Sequence, residues 1–122
     1  MNFNKAYIVM VAEDNGNGIG SCKVDYDDDE VVISSWFVNK EYQNQGIGKG
    51  LLKEAFMHIP KGFKQIKYIW NGQNEYVGKW LEKFNAKNLC PISMLKYACA
   101  DTWDNHMYLL DKDLFLKYLE VL

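Results

Sequence analysis

Residues 36–52, WFVNKEYQNQGIGKGLL, hold the residues of this chain whose types and spacing can most readily do chemistry. An aromatic and β-branched run enters, a polar loop carrying Gly46, Gly48 and Gly50 follows, and an apolar-periodic run leaves. Where a strand passes through a glycine turn into a helix, the first helical N–H groups have no intrahelical acceptors and point outward. The helix dipole adds partial positive charge there. Glycines keep side chains out of the way and let backbone approach an anion. The segment therefore predicts a phosphate or pyrophosphate site on the amides of residues 45–50, with Lys49 adding charge. All 14 basic residues of the chain are lysines. A phosphate must then be held by amides and ammonium groups, without the bidentate fork of a guanidinium.

The elements that must position this loop follow from hydrophobic period. Residues 6–12, AYIVMVA, are apolar on both parities and predict a strand covered on both faces. The run EDNGNG is a turn. Residues 19–26 alternate, with Gly20, Cys22, Val24 and Tyr26 on one side. After the acidic turn at 27–29, residues 30–38, EVVISSWFV, form a third strand rich in β-branched and aromatic types. The first 38 residues thus read as an antiparallel meander. Apolar positions 47, 51, 52, 55, 56 and 59 share one helix face, and Pro60 ends it. Residues 65–70 form a further strand. A second helix is expected at about 74–84, a closing hairpin at 92–100 and 106–110, and a final short helix capped by Asp113. The order β-β-β-α-β-α-β-β-α describes one mixed α/β domain over residues 1–122.

Composition narrows the class. A length of 122 residues suits one domain, and 15% aromatic residues can fill a small core. A net charge of −2 argues against a nucleic-acid binder. No apolar run approaches the roughly 18–20 residues that span a bilayer, and the first residues do not resemble a signal peptide. Cys22, Cys90 and Cys99 lack CxxC spacing, so neither a disulfide framework nor a zinc site is expected, and a reducing cytoplasmic setting is the default. The acidic run 25–30 lacks calcium-loop spacing and reads as a solvated hairpin tip. His58 suits a helix C-terminus, His106 opens a strand, and the cysteines read as small buried hydrophobes. Trp36 and Trp80 are expected in the core or lining a cleft. Trp103 is expected in a hairpin loop.

Three glycine-loop patterns compete for residues 43–50. A P-loop needs GxxxxGK[ST], which Lys49-Gly50 does not satisfy. A dinucleotide fingerprint needs GxGxxG in an opening βαβ unit, and both conditions fail. The pattern Q/R-x-x-G-x-G/A fits Gln43-Asn44-Gln45-Gly46-Ile47-Gly48. Through this motif and its surroundings the chain resembles the GNAT N-acetyltransferase superfamily. Residues 65–74 resemble that family's next strand and the asparagine that follows it. The stretch NEYVGKWLEKF resembles its N-x-x-A-x-x-F-Y-E-K helix. The likeness covers roughly residues 6–112, with its most specific part at 36–52.

The resemblance implies a mixed, mostly antiparallel sheet flanked by helices, shortened at the N-terminus and extended by a C-terminal helix. It implies acetyl-CoA as cofactor, with the pyrophosphate on Gln43, Asn44, Gln45, Gly46, Ile47, Gly48, Lys49 and Gly50. Phe37 and Val38 would pair with the pantetheine arm where their strand splays from strand 65–70, and Asn74 would face that arm. The implied reaction is direct attack of a primary amine on the thioester in a ternary complex, on a small molecule or peptide, with no membrane or metal involved. The family's proton-donating tyrosine falls at Leu81, which donates nothing. Tyr76, five residues earlier, and Glu30 are the remaining candidates for the acid and base. The usual N-terminal helices of the family have no counterpart before residue 6. The acceptor side is then open, completed by a partner in a homodimer, or covered by the C-terminal helix. Two other functions stay in play: a non-catalytic acyl-CoA-binding module or partner subunit, and a plain structural domain.

Overall fold

A computed structural model of the protein describes residues 6–70, 80–89 and 106–121. β1 (Ala6–Asp14), β2 (Asn17–Tyr26) and β3 (Glu30–Val38) form the expected antiparallel meander. The first turn is tight because Asn15 (φ 52°) and Gly16 (φ 82°) both take left-handed backbone. The acidic second turn closes on itself. The Asp27 carboxylate accepts the amides of Asp29 at 2.8 Å and Glu30 at 2.9 Å, which makes it a hairpin tip. After a 3₁₀ turn at Lys40–Tyr42 comes α1 (Ile47–Met57), then β4 (Gln65–Trp70). Residues 80–82 form a helical turn. β5 (Lys87–Asn88), β6 (His106–Leu110) and α2 (Lys112–Leu119) complete the described chain.

Among the described residues the six strands form one sheet in the order β1-β2-β3-β4-β6-β5. β3 and β4 are parallel and every other pair is antiparallel. The core lies on the face that α1 and α2 cover. Cys22, Val24, Ile33, Ile66, Phe115 and Leu119 there are fully buried. Phe115 packs against Phe56 of α1 at 5.4 Å between ring centroids and against Phe84 at 5.3 Å. Truncating such a ring to Ala costs about 3–5 kcal/mol. α2 therefore docks on its own domain beside α1.

Three expectations change. β1 is the edge of the sheet and is covered on one face alone. Ile8, Met10 and Ala12 pack on the core, while Tyr7, Val9 and Val11 are more than half exposed. Apolar residues on both parities do not say whether a second layer exists. The cap of α2 is Asp111, not Asp113. The Asp111 carboxylate accepts the Leu114 amide at 3.1 Å, and Asp113 adds acidic charge in the first turn. The strand beside β6 includes Lys87–Asn88, which its polar pair of side chains did not announce. The expected strand 92–100, most of the helix 74–84, Trp103, Cys90 and Cys99 lie outside the described residues.

Candidate functional site

The loop before α1 is shaped by two left-handed residues, Asn44 (φ 65°) and Gly46 (φ 80°). A left-handed residue next to right-handed or turn backbone turns successive amides toward a common concavity. Gly46 caps α1 with its backbone alone, and among the described residues no side chain caps the helix. The first bond in the helix runs from the Gly50 amide to the Gly46 carbonyl at 2.9 Å. The amides of Ile47, Gly48 and Lys49 therefore have no intrahelical acceptor. The two remaining glycines of the loop differ. A Cβ on Gly50 would meet nothing within 4 Å, whereas one on Gly48 would lie 3.0 Å from the Trp36 ring.

Trp36 ties the strand to the loop. Its indole Nε1 donates to the Gly48 carbonyl at 2.9 Å, which pins β3 to the first turn of α1. Its ring packs at 4.8 Å on Trp80 and edge-on to Tyr68 at 6.3 Å. Burial raises the Tyr68 phenol to about 12. Trp80 is buried, and among the described residues its own Nε1 has no hydrogen-bond partner.

The sheet opens beside this loop. The β3–β4 register ends at Ile33 and Tyr68, although β3 continues to Val38. Ser34 marks the break. Lys23 pairs with Ser35 and Val24 with Ile33, so Ser34 is an extra residue in β3. Its hydroxyl donates to the Lys23 carbonyl at 3.2 Å. Residues 34–38 thus keep β2 on one side and are released from β4 on the other. Gly20 holds the β2 side close, since a Cβ there would lie 2.9 Å from the Phe37 carbonyl oxygen.

A cleft of about 270 Å³ lies between these parts, lined by Trp36, Phe37, Val38, the loop from Tyr42 to Lys49 except Gln45, and Tyr118. Among the described residues that line it, none is acidic. Gln43 folds back so that its Nε2 donates to the Val38 carbonyl at 3.0 Å. The Tyr42 hydroxyl donates to Asp14 at 2.9 Å, and that bond holds the phenol above its ordinary pKa. Lys49 contributes the ammonium group. Amides without an intrahelical acceptor, a concave glycine turn, an ammonium group and no carboxylate in the described lining suit a phosphorylated ligand, so the residues present fit a coenzyme pyrophosphate.

Of the residues singled out in the sequence, Phe37, Val38, Gln43, Asn44, Gly46, Ile47, Gly48 and Lys49 line this cleft. Gln45 and Gly50 do not. Asn74 and Tyr76 lie outside the described residues. Glu30 stands at the far end of β3, about 20 Å along the strand from Trp36, and pairs with Lys67 at 2.6 Å. Leu81 is buried at 3% exposure. His58 is the exposed C-terminal cap of α1. Cys22 is buried, and burial raises its thiol to about 11. Tyr118 was not foreseen. Only the docking of α2 against α1 brings it to the cleft, and nothing in its own sequence neighbourhood signals that.

Among the described residues no group of three or more His, Cys, Asp or Glu side chains is placed to hold a metal, and no helix is long and apolar enough to cross a membrane.

Comparison with known proteins agrees with this geometry. Residues 5–88 match the family model of the acetyltransferase (GNAT) domain. No curated protein sequence matches the chain. Several solved structures share the fold. An acetyltransferase from Streptococcus agalactiae has a TM-score of 0.65 at 18% identity, over 85% of this chain and 66% of its own. The PaiA N-acetyltransferase from Thermoplasma acidophilum, solved with coenzyme A, has a TM-score of 0.62 at 18% identity, over 85% and 60%. N-acetylglutamate synthase from Neisseria gonorrhoeae, complexed with coenzyme A and N-acetyl-glutamate, has a TM-score of 0.60 at 17% identity, over 84% and 25%. The chain thus spans less than two thirds of the length of each of the three. With the family model covering most of its residues and the sheet opening beside a glycine-turned helix start, the chain belongs to the GNAT acetyltransferase family.

Proposed function

We propose that the chain binds acetyl-CoA in the cleft beside α1 and transfers the acetyl group to a primary amine. The observation that carries this reading is the set of amides at Ile47, Gly48 and Lys49, which have no intrahelical acceptor and border a cleft whose described lining contains no carboxylate. The amides and the Lys49 ammonium group would hold the pyrophosphate. Glycine turns and helix N-termini suit this task because their dipoles are fixed before the anion arrives. The edge of residues 34–38 that β4 leaves free would pair with the amide-bearing pantetheine arm. Phe37 and Val38 lie at its loop end. When bound, acetyl-CoA supplies an activated thioester for acyl transfer.

The chain's own part in that transfer is to bind, to orient and to exclude water. Trp36, packed between Gly48 and Trp80, closes the core side of the cleft. Holding both reactants in one geometry is itself a large share of catalysis for such a reaction. Asn74 and Tyr76 remain proposed contacts to the arm and the thiolate. Glu30 is held in an ion pair with Lys67 at the opposite end of β3, so we assign it no proton transfer.

A second reading has a specific observation behind it. Leu81 occupies the position where the family places its tyrosine, and it is buried in the core. That substitution suits a non-catalytic acyl-CoA-binding module. Turnover separates the two readings. Thiol release from acetyl-CoA is expected to rise when one of a panel of polyamines, amino acids, aminoglycosides and peptides is added. Binding of coenzyme A with no release by any of them would favour the module. No binding at millimolar coenzyme would remove both.

A further inference from the structure

The last turn of α2 places a carboxylate at the rim of the cleft. The two carboxylate oxygens of Glu120 lie 3.7 Å from Lys49 Nζ and 3.6 Å from Lys53 Nζ. The two lysines are four residues apart on one face of α1, where like charges repel. One carboxylate between them relieves that repulsion. Lys49 Nζ also sits 4.8 Å over the ring of Tyr118, and both residues line the cleft. The ammonium group closest to the proposed phosphate site is therefore already engaged with the C-terminal helix.

The identity of residue 120 is not explained by the turn it occupies. Glu120 ends α2 in left-handed backbone (φ 61°, ψ 39°). Its amide bonds to the Lys117 carbonyl at 3.1 Å, and the Val121 amide bonds to the Leu116 carbonyl at 3.2 Å. That is the helix-ending turn in which glycine is favoured, because a Cβ is strained there. A glutamate accepts the strain and delivers a carboxylate to two lysines. All three side chains are partly exposed, at 36%, 39% and 67%. Ion pairs of that exposure are weak and exchange readily.

We infer that Glu120 is an affinity-determining residue of the cleft: its carboxylate competes with a phosphate of the bound coenzyme for Lys49. The inference rests on the proposal that the cleft takes coenzyme A. Binding then exchanges one anion for another on Lys49, and the C-terminal turn is released from it as the ligand docks.

The test is calorimetric titration of coenzyme A into the unaltered chain and into variants. Glu120→Gln keeps the shape and removes the charge. Glu120→Gly removes the charge and relaxes the turn, so it cannot lose affinity through a strained fold. Glu54→Gln removes the same charge from an exposed position on α1 for which no lysine partner is found among the described residues. The expected result is roughly twofold to fivefold tighter binding for both Glu120 variants at low salt, a gain that shrinks as salt rises, and little change for Glu54→Gln. In a Lys49→Met background the gain from Glu120→Gln should fall, because the lysine for which the two anions compete is already gone. Equal gains from Glu54→Gln and Glu120→Gln, or an undiminished gain in the Lys49→Met background, would overturn the inference and leave only a long-range charge effect. An unaltered chain that binds no coenzyme A would instead remove the parent reading as well.

Discussion

Exchanging two glycines of α1 for alanine separates backbone preference from packing at the cleft. Gly48 and Gly50 both lie in the first turns of α1, and each Gly→Ala change gains helix propensity of about 0.5–1 kcal/mol. At position 50 a Cβ meets nothing within 4 Å, so that gain stands alone. At position 48 the Cβ would lie 3.0 Å from Trp36 Cζ2 and 3.2 Å from Nε1. The ring cannot easily yield. It is held by its bond to the Gly48 carbonyl and by Trp80 and Tyr68 behind it. Overpacking of this kind costs about 1–3 kcal/mol. The propensity gain is common to both variants, so their difference isolates that packing cost. For 122 residues, 1 kcal/mol corresponds to roughly 4 °C in Tm. Gly50→Ala is expected to melt about 2–4 °C above the unaltered chain, and Gly48→Ala roughly 4–12 °C below Gly50→Ala. Urea unfolding followed by tryptophan fluorescence gives the same difference as free energies. If Gly48→Ala is as stabilising as Gly50→Ala, Trp36 does not pack on the loop as described, and the rigidity ascribed to the cleft fails with it.

Further expectations follow from the same contacts. Gly20→Ala should destabilise the chain by about 1–3 kcal/mol in urea unfolding, because its Cβ would lie 2.9 Å from the Phe37 carbonyl oxygen and push β3 off β2 beside the cleft. Asp111→Ala should cost about 1 kcal/mol by loss of the cap, seen as a Tm lower by roughly 4 °C, whereas Asp113→Ala should cost less than half of that. In alkali the unfolded chain ionises Tyr68 near the ordinary phenol value of 10.0, while the folded chain holds the proton to about 12. The stabilisation is therefore complete below pH 10 and is lost as pH rises toward 12, with a magnitude on the order of 2–3 kcal/mol. Burial of Cys22, from 9.0 to about 11, acts in the same direction from a lower pH. Unfolding measured across that range should show a flatter alkaline decline for Tyr68→Phe than for the unaltered chain.

The elements were legible where period and punctuation agree. The meander, α1, β4 and α2 each carry a run of apolar residues at the right spacing between turn residues, and each stands where that spacing put it. What failed depends on neighbours in space. β1 reads as doubly covered because Tyr7, Val9 and Val11 are apolar, yet its place at the sheet edge leaves them exposed. Asp111 and Asp113 both precede the apolar face of α2, and only the bond from the Leu114 amide decides between them. Lys87–Asn88 carries no strand pattern, because its pairing is dictated by β6. The loop amides were legible because glycine spacing is a backbone property. Tyr118 and Glu120 were not, because they meet Lys49 only through the tertiary docking of α2.

The central claim is that coenzyme A sits on the first amides of α1. Amide-resolved NMR during a titration with coenzyme A tests it most directly. The account predicts that the amides of Gly46, Ile47, Gly48 and Lys49 and the indole N–H of Trp36 shift first and furthest, with the edge of residues 34–38 following. Saturable shifts centred elsewhere on the chain, or no shifts at millimolar coenzyme A, would contradict it.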